Sequence, residues 1–315
     1  MIDTKQFKKI NIFRRLAMPL DELEAYYREK RDHDKDKEIK HIIARKFFGH
    51  ILLLILAARN KLLHKKMILI KDERIHNKKP KLYCMTHIGG EDFINCYLGF
   101  KDPSYILWGD YGEYYKNFDG LMFWLNGVVL VDTHDRNDKR IALSTAIKIL
   151  KKNGNILMAP EGTWNITQDK PVMYLYNGAA EIAIESGADI IPIAVEQYGN
   201  TYYVNIGRNI SGEGYTLENK KELTAVLRDA LATLKWDIIE KYGQMKRSDV
   251  PENAFELWME NFRKICDEIK WPMEILLRCI YVDKKDAEMR EVQSILDNLI
   301  PSKANAILFS KRNHD

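Results

Sequence analysis

The chain has 315 residues, of which 46% are hydrophobic and 30% are charged, and its formal net charge at neutral pH is +4. This length suits one large α/β domain with helical additions or two modest domains, and the composition excludes long disorder. A pI of about 8.6 argues against a dedicated nucleic-acid-binding protein. The four cysteines form no CxxC pair and no zinc spacing with a histidine, so we expect reduced, mostly buried thiols and no metal site.

Residues up to about Met67 are predicted to be helical. The N-terminus is charged and lacks the apolar stretch of a signal peptide. The longest apolar segment covers residues 47–58, and a helix of that length would measure roughly 18 Å against ~30 Å of bilayer hydrocarbon. It is therefore too short to cross a membrane as a simple helix. We expect it either to lie in one leaflet or to pack in the core.

A basic segment follows the apolar one. Between Arg59 and Lys81 nine lysines and arginines are opposed only by Asp72 and Glu73, which gives a local net charge of +7. Such a patch attracts the anionic headgroups of a membrane, and it suits an acidic carrier protein equally well. The alternative is a solvated basic loop.

From Leu82 onward, short apolar runs alternate with amphipathic segments, which is typical of an α/β core. Pro192 interrupts one of these runs and predicts an edge position or a bulge for its strand. The predicted strands are residues 82–86, 105–108, 128–131, 156–159, 190–195 and 202–206. The predicted helices are residues 139–152, 179–185, 217–242, 252–269, 273–280 and 284–299.

The first candidate site is the segment Thr-His-Ile-Gly-Gly-Glu-Asp at residues 86–92. His87 directly follows a predicted strand, and Gly89 and Gly90 permit a tight turn before a helix that begins near Asp92. Across such a turn the Asp92 carboxylate can fold back onto the His87 imidazole, which forms a general base. The alternative is an ordinary turn with a surface histidine and a helix-capping aspartate.

The second candidate site is the segment Ala-Pro-Glu-Gly-Thr-Trp-Asn at residues 159–165, which also follows a predicted strand. Its backbone N–H groups, carboxylate and hydroxyl suit a polar headgroup, although a turn chosen only for its geometry is the alternative. Between the two sites, a strand that starts after Gly127 ends at Asp132 and leads into a polar loop.

In this order, four segments resemble the glycerophospholipid acyltransferase superfamily, whose members acylate glycerol 3-phosphate and lysophosphatidic acid. They are His-x4-Asp at His87 and Asp92, Gly-x4-Asp at Gly127 and Asp132, Pro-Glu-Gly-Thr at residues 160–163, and Ile-Pro-Ile at residues 191–193. The resemblance covers roughly residues 82–195.

The resemblance implies that His87 deprotonates an acceptor hydroxyl, which then attacks the thioester of an acyl carrier protein or of coenzyme A. Asp92 would orient His87, and neither a metal nor a redox cofactor would be needed. Glu161, Gly162 and Thr163 would shape the acceptor site.

Two positions depart from the family pattern, because members usually carry arginine where this chain has Trp164 and Thr133. Neither residue replaces a guanidinium as a phosphate ligand, although Arg136 offers one positive contact nearby. We therefore expect an acceptor with a hydroxyl and no terminal phosphate monoester, such as a glycolipid, an ornithine-type lipid or a lyso-diester lipid. Trp164 would then stack on a sugar or an apolar chain.

These observations predict an α/β fold with a mixed central sheet flanked by helices, N-terminal amphipathic or apolar helices and a C-terminal helical extension. The boundaries are residues 1–70 for a membrane-associating segment, 71–245 for the acyltransferase core and 246–315 for the extension. We expect a peripheral or monotopic protein at the cytoplasmic face of a membrane. Its expected partners are membrane lipids, acyl carrier protein or a coenzyme A thioester, and no nucleic acid, with a homodimer as an open alternative.

Two other functions remain open. One is lysophosphatidic acid acylation proper, and the other is a catalytically silent membrane-associated binding protein with the same fold. A soluble hydrolase lacks support, because the sequence contains no Gly-x-Ser-x-Gly elbow and no obvious nucleophilic cysteine.

Overall fold

The computed structural model describes residues 9–33, 37–109, 125–132, 135–167, 169–269 and 299–309. Within them, helices flank both faces of a seven-stranded mixed sheet, which confirms the predicted α/β fold class. The strands are β1 (Lys66–Asp72), β2 (Lys81–Met85), β3 (Tyr105–Trp108), β4 (Val128–Leu130), β5 (Ile156–Met158), β6 (Asp189–Tyr198) and β7 (Thr201–Ile206).

Eight α-helices lie in the described part of the chain: α1 (Ile12–Ala17), α2 (Leu20–His33), α3 (Ile42–Leu62), α4 (Asp92–Phe100), α5 (Arg136–Lys151), α6 (Gly178–Ser186), α7 (Lys220–Ile238) and α8 (Ala254–Ile269). A π-helical turn, Ile239–Gly243, extends α7. The helices predicted at residues 273–280 and from residue 284 onward lie outside the described residues.

The strand order across the sheet is β1-β7-β6-β2-β5-β3-β4. Only β6 and β7 are antiparallel neighbours, and every other neighbouring pair is parallel. The carboxyl ends of β2 to β6 therefore meet at one edge, which we call the site edge, and we call the opposite edge the far edge. Open α/β sheets place their ligands at the carboxyl ends of their strands.

Alternating side chains of the central strands divide the core into two layers. In β2, Leu82 and Cys84 pack with residues of α5, α6 and α7, whereas Tyr83 and Met85 pack with residues of α3 and α4. All five residues of β2 are buried, as expected for a parallel strand covered on both faces. The His87 segment thus leaves the sheet from its buried central strand.

Helix α3 runs along α4 from the far edge to the site edge. In its first half, Gly49 lies so close to Pro103 and Tyr97 that an added Cβ would come within 2.7 Å of the proline ring. Near its end, the Asn60 amide donates to the Asn95 side chain at 2.8 Å. The buried residues of α3 form a single stripe, which consists of Ile42, Gly49, Leu52, Leu56 and Asn60.

The length predicted for the apolar helix is wrong. With 21 residues, α3 is about 32 Å long, because it begins before residue 47 and continues past residue 58. Within residues 39–62, an 18-residue window has a mean hydropathy of 1.6, so by length and composition this is a helix that could cross a membrane. Only 28% of that apolar window is buried.

The prediction that the chain is helical up to about Met67 is also wrong at its end, because Lys66–Asp72, inside the basic segment, is strand β1. It pairs in parallel with β7 at the edge of the sheet. Lysines at Lys66 and Lys71 suit an edge strand, since charged side chains discourage pairing with a further strand. The conformation of this segment is therefore determined by its pairing with β7 and not by its local sequence periodicity.

Pro192 lies in an interior strand, so the predicted edge position or bulge is wrong. Strand β6 has β2 on one side, where Pro192 is in register with Cys84, and β7 on the other. The antiparallel ladder with β7 begins only at Ile193, opposite Ile206. Because the ladder ends there, the missing N–H of Pro192 costs no hydrogen bond between strands.

Candidate functional site

The structure brings His87 and Asp92 into direct contact at the site edge. The His87 Nδ1 atom lies 2.8 Å from Asp92 Oδ2. The histidine follows β2, and the aspartate is the first residue of α4, so the turn between them folds the carboxylate back as predicted. With Nδ1 donating to the carboxylate, Nε2 is left with a lone pair that can accept a proton.

The Asp92 carboxylate is completely buried and receives three further hydrogen bonds. The backbone N–H groups of Ile88 and Gly89 donate to Oδ2 at 2.7 and 3.0 Å, and that of Phe93 donates to Oδ1 at 2.6 Å. These donors fix the carboxylate, and the carboxylate in turn fixes the imidazole. The positive φ of 89° at Gly89 allows the turn to aim its N–H groups inward.

Glu161 joins the second candidate segment to the first. Its carboxylate is fully buried, with Oε1 accepting from the His87 backbone N–H at 2.9 Å and Oε2 accepting from the Met173 backbone N–H at 2.8 Å. Burial raises the pKa of this carboxyl above its ordinary value, while the two N–H donors act in the opposite direction. Both oxygens are therefore engaged in holding the His87 backbone.

Two aromatic rings contact the imidazole and a third packs on one of them, and we call the three rings the aromatic wall. The ring centroid of His87 lies 5.0 Å from that of Phe93 and 6.0 Å from that of Trp164, both edge-to-face. Trp108, at the end of β3, packs on Phe93 at 5.4 Å. The His87 side chain is 13% exposed, so the wall leaves it a narrow opening to solvent.

Trp164 also packs on the turn that carries the histidine. A Cβ atom on Gly89 would come 2.7 Å from the Trp164 ring. The backbone N–H of the next residue, Asn165, donates to the His87 carbonyl at 2.6 Å. The two candidate segments therefore form one unit, with Trp164 at the position where the family usually has arginine.

The remaining predicted site residues differ in position. Thr163 is buried beside Trp164, while Gly162 is exposed and has a φ of 69°. Arg136 is exposed at the first turn of α5, and no contact with His87 or Asp92 is found among the described residues. Thr133 lies outside the described residues.

Two basic side chains, one at the end of α3 and one just after it, form ion pairs with the His87 turn. Arg59 of α3 and Lys65 contact the two oxygens of Glu91 at 2.6 and 2.8 Å. Burial alone would raise the pKa of Glu91, but these two cations outweigh it, so the pKa lies below its ordinary value. The C-terminal end of α3 is thereby fixed against the turn that holds His87.

Asp132 forms an ion pair with an arginine of helix α2, a contact that the sequence did not predict. Arg28 of α2 donates to Asp132 at 2.7 Å, and Arg31 pairs with the nearby Asp138. The opposite charges along α2 could have suggested paired helices, but they gave no indication of the partner.

A buried ion pair behind the site was also missed. Lys235 and Glu196 are both 0% exposed and lie 2.8 Å apart, and Lys235 Nζ reaches the Thr86 hydroxyl at 3.4 Å. A glutamate that directly follows the apolar run of β6 was the available signal for such a pair. Within the described ranges, no group of three or more His, Cys, Asp or Glu side chains is placed to bind a metal ion.

At the site edge, a carboxylate holds a histidine at the carboxyl end of a central strand, and a second motif is hydrogen-bonded to the same turn. This is the arrangement that the resemblance to acyltransferases implies. Residues 66–196 match the protein-family model described as Acyltransferase. This match and the curated relatives described next confirm, for this part of the chain, the resemblance to the glycerophospholipid acyltransferase superfamily that the four motifs predict.

The chain is similar to 1-acyl-sn-glycerol-3-phosphate acyltransferase of Salmonella typhimurium, at 26% identity over 132 residues, which are 42% of this chain and 52% of that enzyme. An uncharacterized acyltransferase of Schizosaccharomyces pombe is 25% identical over 56% of this chain and 68% of its own. The chain thus spans about half the length of the curated relatives that it matches first. A solved 1-acyl-sn-glycerophosphate acyltransferase from Thermotoga maritima has a TM-score of 0.45 and 18% identity over 71% of this chain and 86% of that one.

Proposed function

We propose that this protein transfers a fatty acyl chain from an acyl-carrier-protein or coenzyme A thioester to a hydroxyl of a lipid acceptor at a membrane surface. The observation that carries the proposal is the contact of 2.8 Å between His87 Nδ1 and Asp92 Oδ2. It leaves Nε2 as the proton acceptor beside the narrow opening of the aromatic wall. The match of residues 66–196 to the acyltransferase family supports the same reaction class.

In the proposed mechanism, His87 Nε2 takes the proton of the acceptor hydroxyl as its oxygen attacks the thioester carbonyl. The carbon–sulfur bond then breaks, and the imidazolium returns its proton to the leaving thiolate, which yields an ester and a free thiol. Asp92 keeps the imidazole in the required tautomer and stabilises its charged form. Glu161 is a positioning residue, since its carboxylate holds the His87 backbone.

The proposed acceptor carries a hydroxyl but no terminal phosphate monoester. Trp164 lies 6.0 Å from the imidazole, where it presents an aromatic ring in place of a guanidinium. Such a surface favours a sugar, an acyl chain or a phosphodiester over a dianionic phosphate. Lysophosphatidic acid is the second candidate acceptor, because curated relatives are named 1-acyl-sn-glycerol-3-phosphate acyltransferases.

We propose that α3 lies in the plane of the membrane. Its outward face is apolar, with Leu54 73% and Ile43 87% exposed. A spanning helix would have its two ends on opposite sides of the bilayer, yet α3 packs against the domain along its whole length, at Ile42, Gly49 and Asn60. Crossing would therefore bring the polar surface of the α/β domain into the hydrocarbon, which costs far more than α3 gains. The orientation at the cytoplasmic face belongs to this proposal.

Mass spectrometry of lipids from cells that express the wild type or His87→Ala tests the proposed reaction. We expect one class of acylated lipid to increase with the wild type and to stay at background with the variant, and its headgroup would identify the acceptor. Identical lipid profiles for the two proteins at equal expression would instead support the silent binding protein.

A further inference from the structure

A cavity of about 440 Å³ lies at the far edge of the sheet, away from the His87 turn. It lies between the start of α3, the loop from β1 to β2, the end of α4 and the turn after α5. Its lining is mostly polar, and Tyr83 and Phe100, which are stacked at 4.1 Å, contribute aromatic surface. The cationic side chains that line it are Lys46, Arg74, Lys78, Lys79, Lys81 and Lys101.

Three of these six cations already have carboxylate partners. Arg74 pairs with Asp72 at 2.5 Å, Lys79 with Glu213 at 2.7 Å, and Lys81 with Asp189 at 3.5 Å. These contacts neutralise half of the cationic side chains in the lining.

The other three cations, Lys46, Lys78 and Lys101, have no ion-pair partner within the described residues. Asp102 is the acidic residue in the lining, and its carboxylate accepts from the Tyr83 hydroxyl at 2.7 Å. His76 also lines the cavity. An excess of positive charge therefore faces a concave space that is large enough for a phosphorylated headgroup.

The rim of this cavity continues into the apolar face of α3. Ile43 lies one helical turn before Lys46, and Phe47 directly follows it, and these two side chains are 87% and 64% exposed. Ile75, on the opposite rim, is 60% exposed. A cationic space beside exposed apolar side chains matches the two parts of an anionic lipid, whose phosphate is joined to acyl chains.

We propose that this cavity binds the phosphate of an anionic membrane lipid, with Lys46, Lys78 and Lys101 as its ligands and the acyl chains of the lipid beside Ile43 and Phe47. The inference rests on the membrane docking of α3 proposed above, and it adds a lipid-specific contact remote from the reacting groups. Since α3 links the cavity to the His87 turn through Arg59 and Glu91, one helix contacts both sites.

The test compares two triple variants that remove the same charge. The cavity variant carries Lys46→Gln, Lys78→Gln and Lys101→Asn, because asparagine tolerates the positive φ of 53° at position 101. The control variant carries Lys139→Gln, Lys221→Gln and Lys246→Gln, three exposed lysines remote from the cavity lining. Partition onto vesicles is measured for both, with phosphatidylcholine alone and with equal parts of phosphatidylcholine and phosphatidylglycerol.

We expect the cavity variant to bind the anionic vesicles about a hundredfold more weakly than the wild type, since three lysines near the surface are lost. The control should lose about twofold or less, because its lysines do not line the cavity. Binding to neutral vesicles should be equal for all three proteins. Equal losses in the two variants would overturn the proposal.

Other outcomes separate this proposal from those on which it rests. A wild type that binds neutral and anionic vesicles equally would overturn the cavity site and leave α3 docking intact. A wild type that binds neither kind of vesicle would overturn both the cavity site and the membrane docking of α3. The role of His87 would still be testable by acyl transfer to a short-chain, water-soluble acceptor. Calorimetric titration identifies the source of the phosphate, because inorganic phosphate that binds as tightly as short-chain phosphatidylglycerol would overturn the assignment to lipid.

Discussion

The His87 side chain is held through its ring and through its backbone. Asp92 fixes the ring at Nδ1, Glu161 accepts the backbone N–H, and the carbonyl accepts from Asn165. Each partner comes from a different part of the two motifs, so no single substitution releases the histidine completely. This arrangement leaves Nε2 as the ring nitrogen that the proposed mechanism uses.

Trp164 is the residue with which acceptor choice can be altered. Replacing it with arginine (Trp164→Arg) places a guanidinium beside the imidazole, and a hydrogen bond between charged groups contributes about 1.5–3 kcal/mol. We expect kcat/KM for lysophosphatidic acid, relative to a neutral lyso-lipid, to rise by roughly ten- to a hundredfold. Acylation by purified protein with paired acceptors measures this ratio.

Trp164→Leu is the control for the loss of the ring itself. It should lower both rates and leave the ratio of the two acceptors nearly unchanged. If the wild type already prefers lysophosphatidic acid to every neutral acceptor, then the role given to Trp164 is wrong.

Gly89 and Gly187 form a matched pair for the packing of the turn, because both have a positive φ, 89° and 72°. An alanine at Gly187 meets no atom within 4 Å, whereas one at Gly89 meets the Trp164 ring at 2.7 Å. Gly187→Ala should cost about 1 kcal/mol of unfolding free energy and retain activity. Gly89→Ala should cost more and lower acyl transfer strongly, as urea denaturation and an activity assay can measure. Equal costs would show that Trp164 does not pack on this turn.

At the scale of elements, α3 has one face on the protein and one face outward, and the two faces can be tested separately. Replacing outward residues, as in Ile43→Ser with Leu54→Ser, should reduce binding to neutral vesicles by about a hundredfold, at roughly 1.5 kcal/mol or more per side chain. The unfolding free energy should change little, because these side chains are exposed.

Leu52→Ala provides the opposite case, since Leu52 is 5% exposed against the core. It should cost about 2–5 kcal/mol of unfolding free energy and leave vesicle binding of the folded protein unchanged. If the serine variant bound vesicles as well as the wild type, α3 would not be the membrane-docking element.

The central strands were predictable because each is a short apolar run bounded by turn residues. For β3 the predicted and observed bounds agree, and for β2 they differ by one residue at each end. Strand β1 was not predictable, since its alternation of lysine and apolar residues suits a helix end as well as an edge strand. Its partner, β7, lies more than a hundred residues further along the chain.

Within the candidate site, the contact between His87 and Asp92 followed from the spacing and the two glycines. The aromatic wall did not, because Phe93, Trp108 and Trp164 come from three separate elements and only the packing of the sheet brings them together. The engagement of both Glu161 oxygens by backbone N–H groups likewise depends on the loop that contains Met173.

At the scale of the whole molecule, the buried pair of Lys235 and Glu196 joins α7 to the sheet behind the site. Lys235→Met would leave Glu196 uncompensated in the core and should cost about 3–5 kcal/mol of unfolding free energy. The double variant with Glu196→Gln should recover much of that loss, because no unpaired charge remains. Denaturant unfolding of the single and double variants measures this coupling, and additive losses would contradict it.

The central claim is that His87, oriented by Asp92, is the base of an acyl transfer, and purified protein with its lipid acceptor tests it most directly. We expect both His87→Gln and Asp92→Asn to lower kcat by about 10²–10⁴ while acceptor binding stays close to the wild type. Thermal stability should stay close to the wild type for His87→Gln and fall for Asp92→Asn, because the buried amide group would face backbone N–H donors. A control, Glu185→Gln, changes an exposed carboxylate at the end of α6 and should retain full activity. Acyl transfer by His87→Gln at the wild-type rate would contradict the account.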